Sequence, residues 1–201
     1  MKKLFVLLVA VVAMMVCNPV MGQETDPFVS TLDKLDQNAA KECWTQDLNT
    51  YMYAKGYSDK YCSSESVAVQ SALEHCRRDL TERIEQLLDG AIDEAFTKFG
   101  ISQDSEESNG RRTEITSSFH RSLKKSLGAL DRCYISVTTD QRGDWHCVYY
   151  GRLPKEEFKK ALDEDSPNTN KGGVDTNKLK EFVYDKITSE INNNIENIEN
   201  N

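Results

Sequence analysis

Apolar residues recur at three- and four-residue intervals over much of this chain, and in one stretch they alternate instead. Val69, Leu73, Cys76, Leu80, Ile84, Leu87, Ala91 and Ala95 hold to one face of a helix about eight turns long. Glu74, Arg78, Glu82, Glu85 and Asp89 fall on the opposite face, the pattern of a core-facing amphipathic helix. Ser63 or Ser64 is placed to cap it, and Phe99-Gly100 ends it. Ile115, Phe119, Leu123, Leu127 and Leu130 form a second stripe. The polar, acidic stretch 102–110 between them reads as an exposed loop, so the two helices are expected to return antiparallel. A last stripe runs through Leu179, Val183, Ile187, Ile191, Ile195 and Ile198. Each of these contributes roughly 1.5–3 kcal/mol when covered, so the stripe must find a partner, either its own domain or a second subunit.

The period drops to two after Leu130. Cys133, Ile135 and Val137 alternate with Tyr134, Ser136 and Thr138, and alternation resumes at Trp145, Cys147 and Tyr149. Asp140 first and Gly143 fourth suit a type I turn followed by a left-handed glycine, which sets Asp140 against Asp144 and Val137 against Cys147. Cys133, Ile135, Val137, Trp145, Cys147 and Tyr149 then share the core face. Residues 50–56 read as a further strand, and Leu153-Pro154-Lys155-Glu156-Glu157 as a strand end opening a helix at the proline, with Phe158, Ala161 and Leu162 inward. A weak helical pattern of Leu32, Leu35 and Ala39 follows Ser30 in residues 23–45. The expected fold is α+β: a small antiparallel sheet (strand, long helices, β-hairpin, helix) with long helices packed on one face. The α+β domain is placed at 46–164, a linker at 165–176 and a C-terminal helix at 177–201.

Lys2 and Lys3 precede an unbroken apolar run over residues 4–16, then a polar stretch reaching Gly22, the three regions of a secretory signal peptide. Cleavage is expected after Gly22. The run is shorter than the ~20 residues a membrane span needs, and no later segment qualifies, so no transmembrane span is expected. A competing reading makes Cys17 an acylated lipoprotein cysteine, against which Val16 argues, because that processing prefers a small residue there. The formal charge is -8, which disfavours nucleic acid as a partner.

Export permits disulfides. Cys17 aside, an odd number of cysteines remains: Cys43, Cys62, Cys76, Cys133 and Cys147. Cys43 and Cys62 flank the first strand, and a bridge closing that loop would contribute about 3 kcal/mol. The hairpin register puts Cys133 about 13 Å from the residue opposite Cys147 at ~3.3 Å per residue, too far for a bridge. Cys76 reads as a small buried hydrophobe. His75-Cys76 and His146-Cys147 invite a zinc or thiol reading, yet adjacent residues point to different sides of a helix or strand, so neither pair chelates one metal unaided. His120 has no nucleophile near it in sequence. No catalytic residue, cofactor or metal site is expected. Arg142-Gly143-Asp144 at the hairpin tip matches an integrin-type ligand, though the turn needs Gly143 in any case; Pro167 and the spacing defeat an EF-hand over 163–175.

The strand ending in Tyr53-Ala54-Lys55-Gly56, Ser63-Ser64 before a helix carrying Ala68, Ala72 and Leu80, and Gly143-Asp144-Trp145 opening a strand that ends in Leu153-Pro154-Lys155-Glu156-Glu157-Phe158 are ordered as in a known group. Over about residues 43–190 the chain resembles secreted Bacteroidota-type proteins akin to the Lpp-twenty class of small outer-membrane lipoproteins. The resemblance implies an α+β domain exported to the envelope and no activity; this chain departs from the group in lacking a good lipobox.

The expectation is therefore an exported, non-catalytic envelope protein, periplasmic or outer-membrane associated, acting as an assembly or protein-interaction module with an envelope protein or with itself through the C-terminal helix. The alternatives are a surface adhesin using Arg142, Gly143 and Asp144, and a metal or thiol enzyme built on His120, His146 and Cys147.

Overall fold

In the computed structural model the described residues are 47–102, 105–165 and 175–192. Strand β1, Tyr51–Tyr57, is followed by α1, Glu65–Lys98, and α2, Glu106–Ser126. A single 3-10 turn at Leu127–Ala129 leads into the hairpin of β2, Asp131–Thr139, and β3, Trp145–Pro154. Helices α3, Lys155–Glu164, and α4, Thr176–Glu190, complete the α+β fold. The strands form one antiparallel sheet in the order β1-β3-β2, so the strand made last is the central one.

The hairpin has the register its turn chemistry dictates. Val137 pairs with Cys147, Asp140 N–H donates to the Asp144 carbonyl at 3.0 Å, and Gly143 takes φ 84°, where a side chain would be strained. The register slips between Arg132 and Tyr134, which places Cys133 at a β-bulge. Strand alternation does not reveal this slip, since a bulge adds a residue without changing composition.

Ser64 caps α1, accepting from Val67 N–H. The predicted stripe is shifted at its start: Ala68 and Ala72 are fully buried, while Val69 and Leu73 are half-buried. The reason is in the sheet. Gly56 lies so close to α1 that a Cβ there would meet the Ala72 carbonyl oxygen and stand 2.9 Å from Cys76 Cα, and one on Gly151 would stand 2.9 Å from Cys76 Sγ. Small residues on both surfaces let helix and sheet approach, so the bulkier stripe is turned aside. Further along, Leu80, Ile84, Leu88, Ile92 and Phe96 form the core face.

Helix α2 begins earlier than the acidic stretch suggests. Ser105 and Ser108 make a reciprocal capping box, and Glu106 and Glu107 lie in the first turn, where carboxylates favour the positive end of the helix. Arg112 pairs with Asp89 and Asp93, and His120 Nδ1 lies 3.3 Å from Glu85, an order that makes α1 and α2 antiparallel as expected. Pro154 closes β3 and occupies the cap position of α3 instead of its first turn. Phe119 of α2 meets Phe158 of α3 edge to face, and Phe158 meets Tyr184 of α4 at a tilt, at 5.9 and 5.8 Å between ring centroids, tying the three helices together.

The C-terminal stripe finds its partner within the chain. Leu179, Val183, Ile187 and Ile191 are buried in the same core as α1, which corrects the expectation that they serve self-association; Ile195 and Ile198 lie outside the described residues. Met52, Ala54, Cys147, Tyr149 and Leu153 face α1 in this core. Tyr53, His146, Val148 and Tyr150, on the opposite face by alternation, are buried too, so β3 is covered on both sides.

Candidate functional site

A three-stranded open sheet has two edges, each a row of backbone donors and acceptors able to pair with another chain. The edge at β1 is closed by side chains. Tyr53 N–H donates to Asn192 Oδ1 at 3.4 Å, and Asn192 Nδ2 donates to the Tyr51 and Leu48 carbonyls at 2.7 and 3.0 Å. Arg83 donates to the Tyr53 carbonyl at 2.8 Å and also to that of Ile191. Lys55 N–H donates to Asp79 at 3.3 Å, and His75 Nδ1 lies 2.6 Å from the Tyr57 carbonyl oxygen. Side chains from α1 and from the turn after α4 thus satisfy the backbone that β1 would otherwise offer.

The edge at β2 is treated differently. From Tyr134 to Thr139 its backbone bonds only with β3 among the described residues. Beside it runs a groove of about 660 Å³ between β2 and the first turns of α1, with Val69, Ile135 and Val137 as its apolar wall and Ser66 and Arg132 among its polar residues. Tyr61, in the loop before α1, and Val67, in its first turn, are the large apolar side chains left exposed among the described residues, at 67% and 47%. A free edge next to an apolar groove is the geometry by which an extended peptide is added as a strand, with backbone bonds giving affinity and alternate side chains giving selectivity. The open edge cannot be seen in the sequence, because it depends on strand order.

Arg142 and Gly143 are exposed at the hairpin tip, while Asp144 is half-buried. Asp140 organises this tip. Its carboxylate accepts from Arg142 N–H at 2.8 Å and Asp144 N–H at 3.0 Å, and His146 Nε2 lies 3.4 Å away. Although partial desolvation works against it, these hydrogen bonds hold the Asp140 carboxyl below the usual carboxylate range.

The histidines and thiols do not assemble. His75 faces Tyr57 and Asp59, whereas Cys76 is sealed between α1 and Gly151. His146 and Cys147 occupy opposite faces of β3. Burial pushes the Cys76 and Cys147 thiols up to about 12, so neither is a nucleophile near neutral pH. Cys62 is free and buried, which corrects the expected Cys43–Cys62 bridge. Its carbonyl accepts from Trp145 N–H at 2.9 Å and its Sγ donates to the Asp59 carbonyl, drawing the thiol inward against β3. Cys133, at the bulge, is disulfide-bonded, and since Cys62, Cys76 and Cys147 are free its partner lies outside the described residues. Cys17, Gly22 and Cys43 also lie outside them. Among the described residues no group of three metal-ligating side chains occurs, and no helix is long and apolar enough to cross a membrane.

Sequence reasoning passed over one polar cluster entirely. Where α2, α3 and α4 meet, Arg121 makes paired hydrogen bonds to Asp165 at 2.9 and 2.8 Å, which hold the Asp165 carboxyl low. The Ser118 hydroxyl and the Lys180 ammonium are buried in the same region. Lys180 is next to Leu179 of the apolar stripe, and nothing in the spacing distinguishes it from a solvated lysine.

No family model matches the chain, and no curated protein matches it. Among solved structures it is similar to a hypothetical protein, FTT1539c, of Francisella tularensis, at 15% identity and a TM-score of 0.40 over 83% of this chain and 55% of that one. The chain thus spans about half the length of that neighbour.

Proposed function

We propose that this is an exported, non-catalytic protein of the cell envelope that binds an extended segment of a partner protein along β2. The unequal treatment of the two sheet edges carries this reading. Asn192, Arg83 and Asp79 close β1, while among the described residues the backbone of β2 from Tyr134 to Thr139 bonds only with β3, beside the groove of Val69, Ile135 and Val137. An edge strand beside an apolar wall is the geometry that takes up an extended segment by strand addition. Export rests on the signal-peptide pattern of residues 1–22 and on the resemblance to the envelope lipoprotein class.

The test places a photo-crosslinking side chain at Ser136 on β2, and a control at Glu82 on the exposed back of α1, in the full chain made in its native cell. A discrete adduct from position 136 and none from position 82 is expected; equal adducts from both, or none from 136, overturns the reading. Intact mass of the envelope-derived protein tests export separately. Mass beginning at Gln23 or at an acylated Cys17 supports it, and mass beginning at Met1 refutes it.

A further inference from the structure

Lys180 is 2% exposed, and its Nζ has no hydrogen-bond or ion-pair partner among the described residues. A buried ammonium without an acceptor is costly, and burial pushes its pKa down, although nearby Asp165 works the other way. Asp165 does not take it as a direct partner, being already held by both nitrogens of the Arg121 fork.

Lys180 lines a cleft of about 390 Å³ between α3 and α4. The other charges there are unequal in their commitments. Lys159 stands 3.8 Å from Glu181, whereas Asp163 has no ion-pair partner among the described residues. Asn177, in the first turn of α4, adds an amide, and Leu162 and Tyr184 supply an apolar wall. The cleft therefore offers one uncommitted cation, one uncommitted anion, an amide and a hydrophobic surface, within the size range of small-ligand sites. A simple anion would satisfy Lys180 and be repelled by Asp163, and a simple cation the reverse. A ligand carrying both charges answers each group and brings no net charge into a region already balanced.

We infer that the α3–α4 cleft binds a small zwitterion of the free α-amino acid class. Its carboxylate is held by Lys180 and Asn177, its ammonium by Asp163, and its side chain lies against Leu162 and Tyr184.

The test is a thermal-shift screen of the mature full-length protein against the free α-amino acids, followed by calorimetry on those that raise Tm. At least one amino acid should bind saturably, and Lys180→Met and Asp163→Asn should each weaken it about tenfold or more. The same ligand without its amine, or without its carboxylate, should lose a similar factor. Unliganded Lys180→Met should melt above the parent protein, because an unpaired buried charge is gone; if that variant does not fold, Asp163→Asn carries the test alone. The inference is overturned if no amino acid shifts the parent protein, if binding survives in the variants, or if the amine-free acid binds as tightly as the amino acid.

Discussion

Gly56 rests against the backbone of Cys76, with room between β1 and α1 for a hydrogen and not for a methyl group. Gly56→Ala should therefore force the strand and helix apart and cost about 1–3 kcal/mol in urea unfolding, or prevent folding. Gly90, in α1 with nothing within 4 Å of its Cβ position, is the contrasting case. Gly90→Ala should stabilise by about 0.4–1 kcal/mol. Equal effects at the two sites would show that the close approach is not real.

Asn192 is buried and serves three backbone groups from beyond the end of α4. Asn192→Ala should leave the Tyr51 carbonyl and the Tyr53 N–H wanting, at about 1–3 kcal/mol. Amide exchange at Tyr53 should accelerate more than at Val148 on the central strand. Unchanged exchange at Tyr53 would mean that the edge is held by something other than Asn192.

The aromatic column is the joint of the helical layer. Phe158 is fully buried between Phe119 and Tyr184, and Phe158→Ala should cost about 3–5 kcal/mol. A loss below about 1 kcal/mol would show that α2, α3 and α4 can collapse around the gap.

The hairpin tip should weaken in acid. Because Asp140 titrates lower in the folded protein than in the unfolded chain, its contribution is present above the unfolded carboxylate pKa and is lost as pH falls through the folded value. Amide exchange or NMR at Arg142 and Asp144 should report this opening, and Asp140→Asn should remove the pH dependence there. A tip equally protected on both sides of the carboxylate range would contradict it.

Thiol mapping checks the core independently. Cys62, Cys76 and Cys147 should resist alkylation in the folded protein and react on denaturation without reductant, whereas Cys133 should need reduction first. Rapid labelling of Cys76 in native buffer would contradict its place between α1 and Gly151.

These cases show which parts of the molecule are readable from the chain. Asp140 and Gly143 fix a turn through their own chemistry, so the pairing of Val137 with Cys147 follows from residues close together in sequence. Ser105-Glu106-Glu107-Ser108 carries an equally local signal, a cap followed by acids, but its polarity resembles that of a loop and conceals it. The alanine start of the α1 stripe depends on Gly56 and Gly151, remote residues whose meeting no periodicity encodes. Lys180 and the open edge of β2 belong to the same class. Their significance comes from the partners they lack among the described residues. The Cys43–Cys62 expectation rested on two cysteines flanking the first strand, and Cys62 is instead a free, buried thiol.

The strand order also sets a schedule. With β3 in the middle and β1 and β2 both earlier in the chain, neither outer strand has a neighbour to pair with until β3, from Trp145 onward, begins to be delivered. The clasp on β1 then waits for Asn192. A chain threaded N-terminus first through a narrow channel would meet helices able to form on the way but no sheet to jam the passage. Assembly of the sheet on the far side would wait for β3, and the closing of its β1 edge for Asn192.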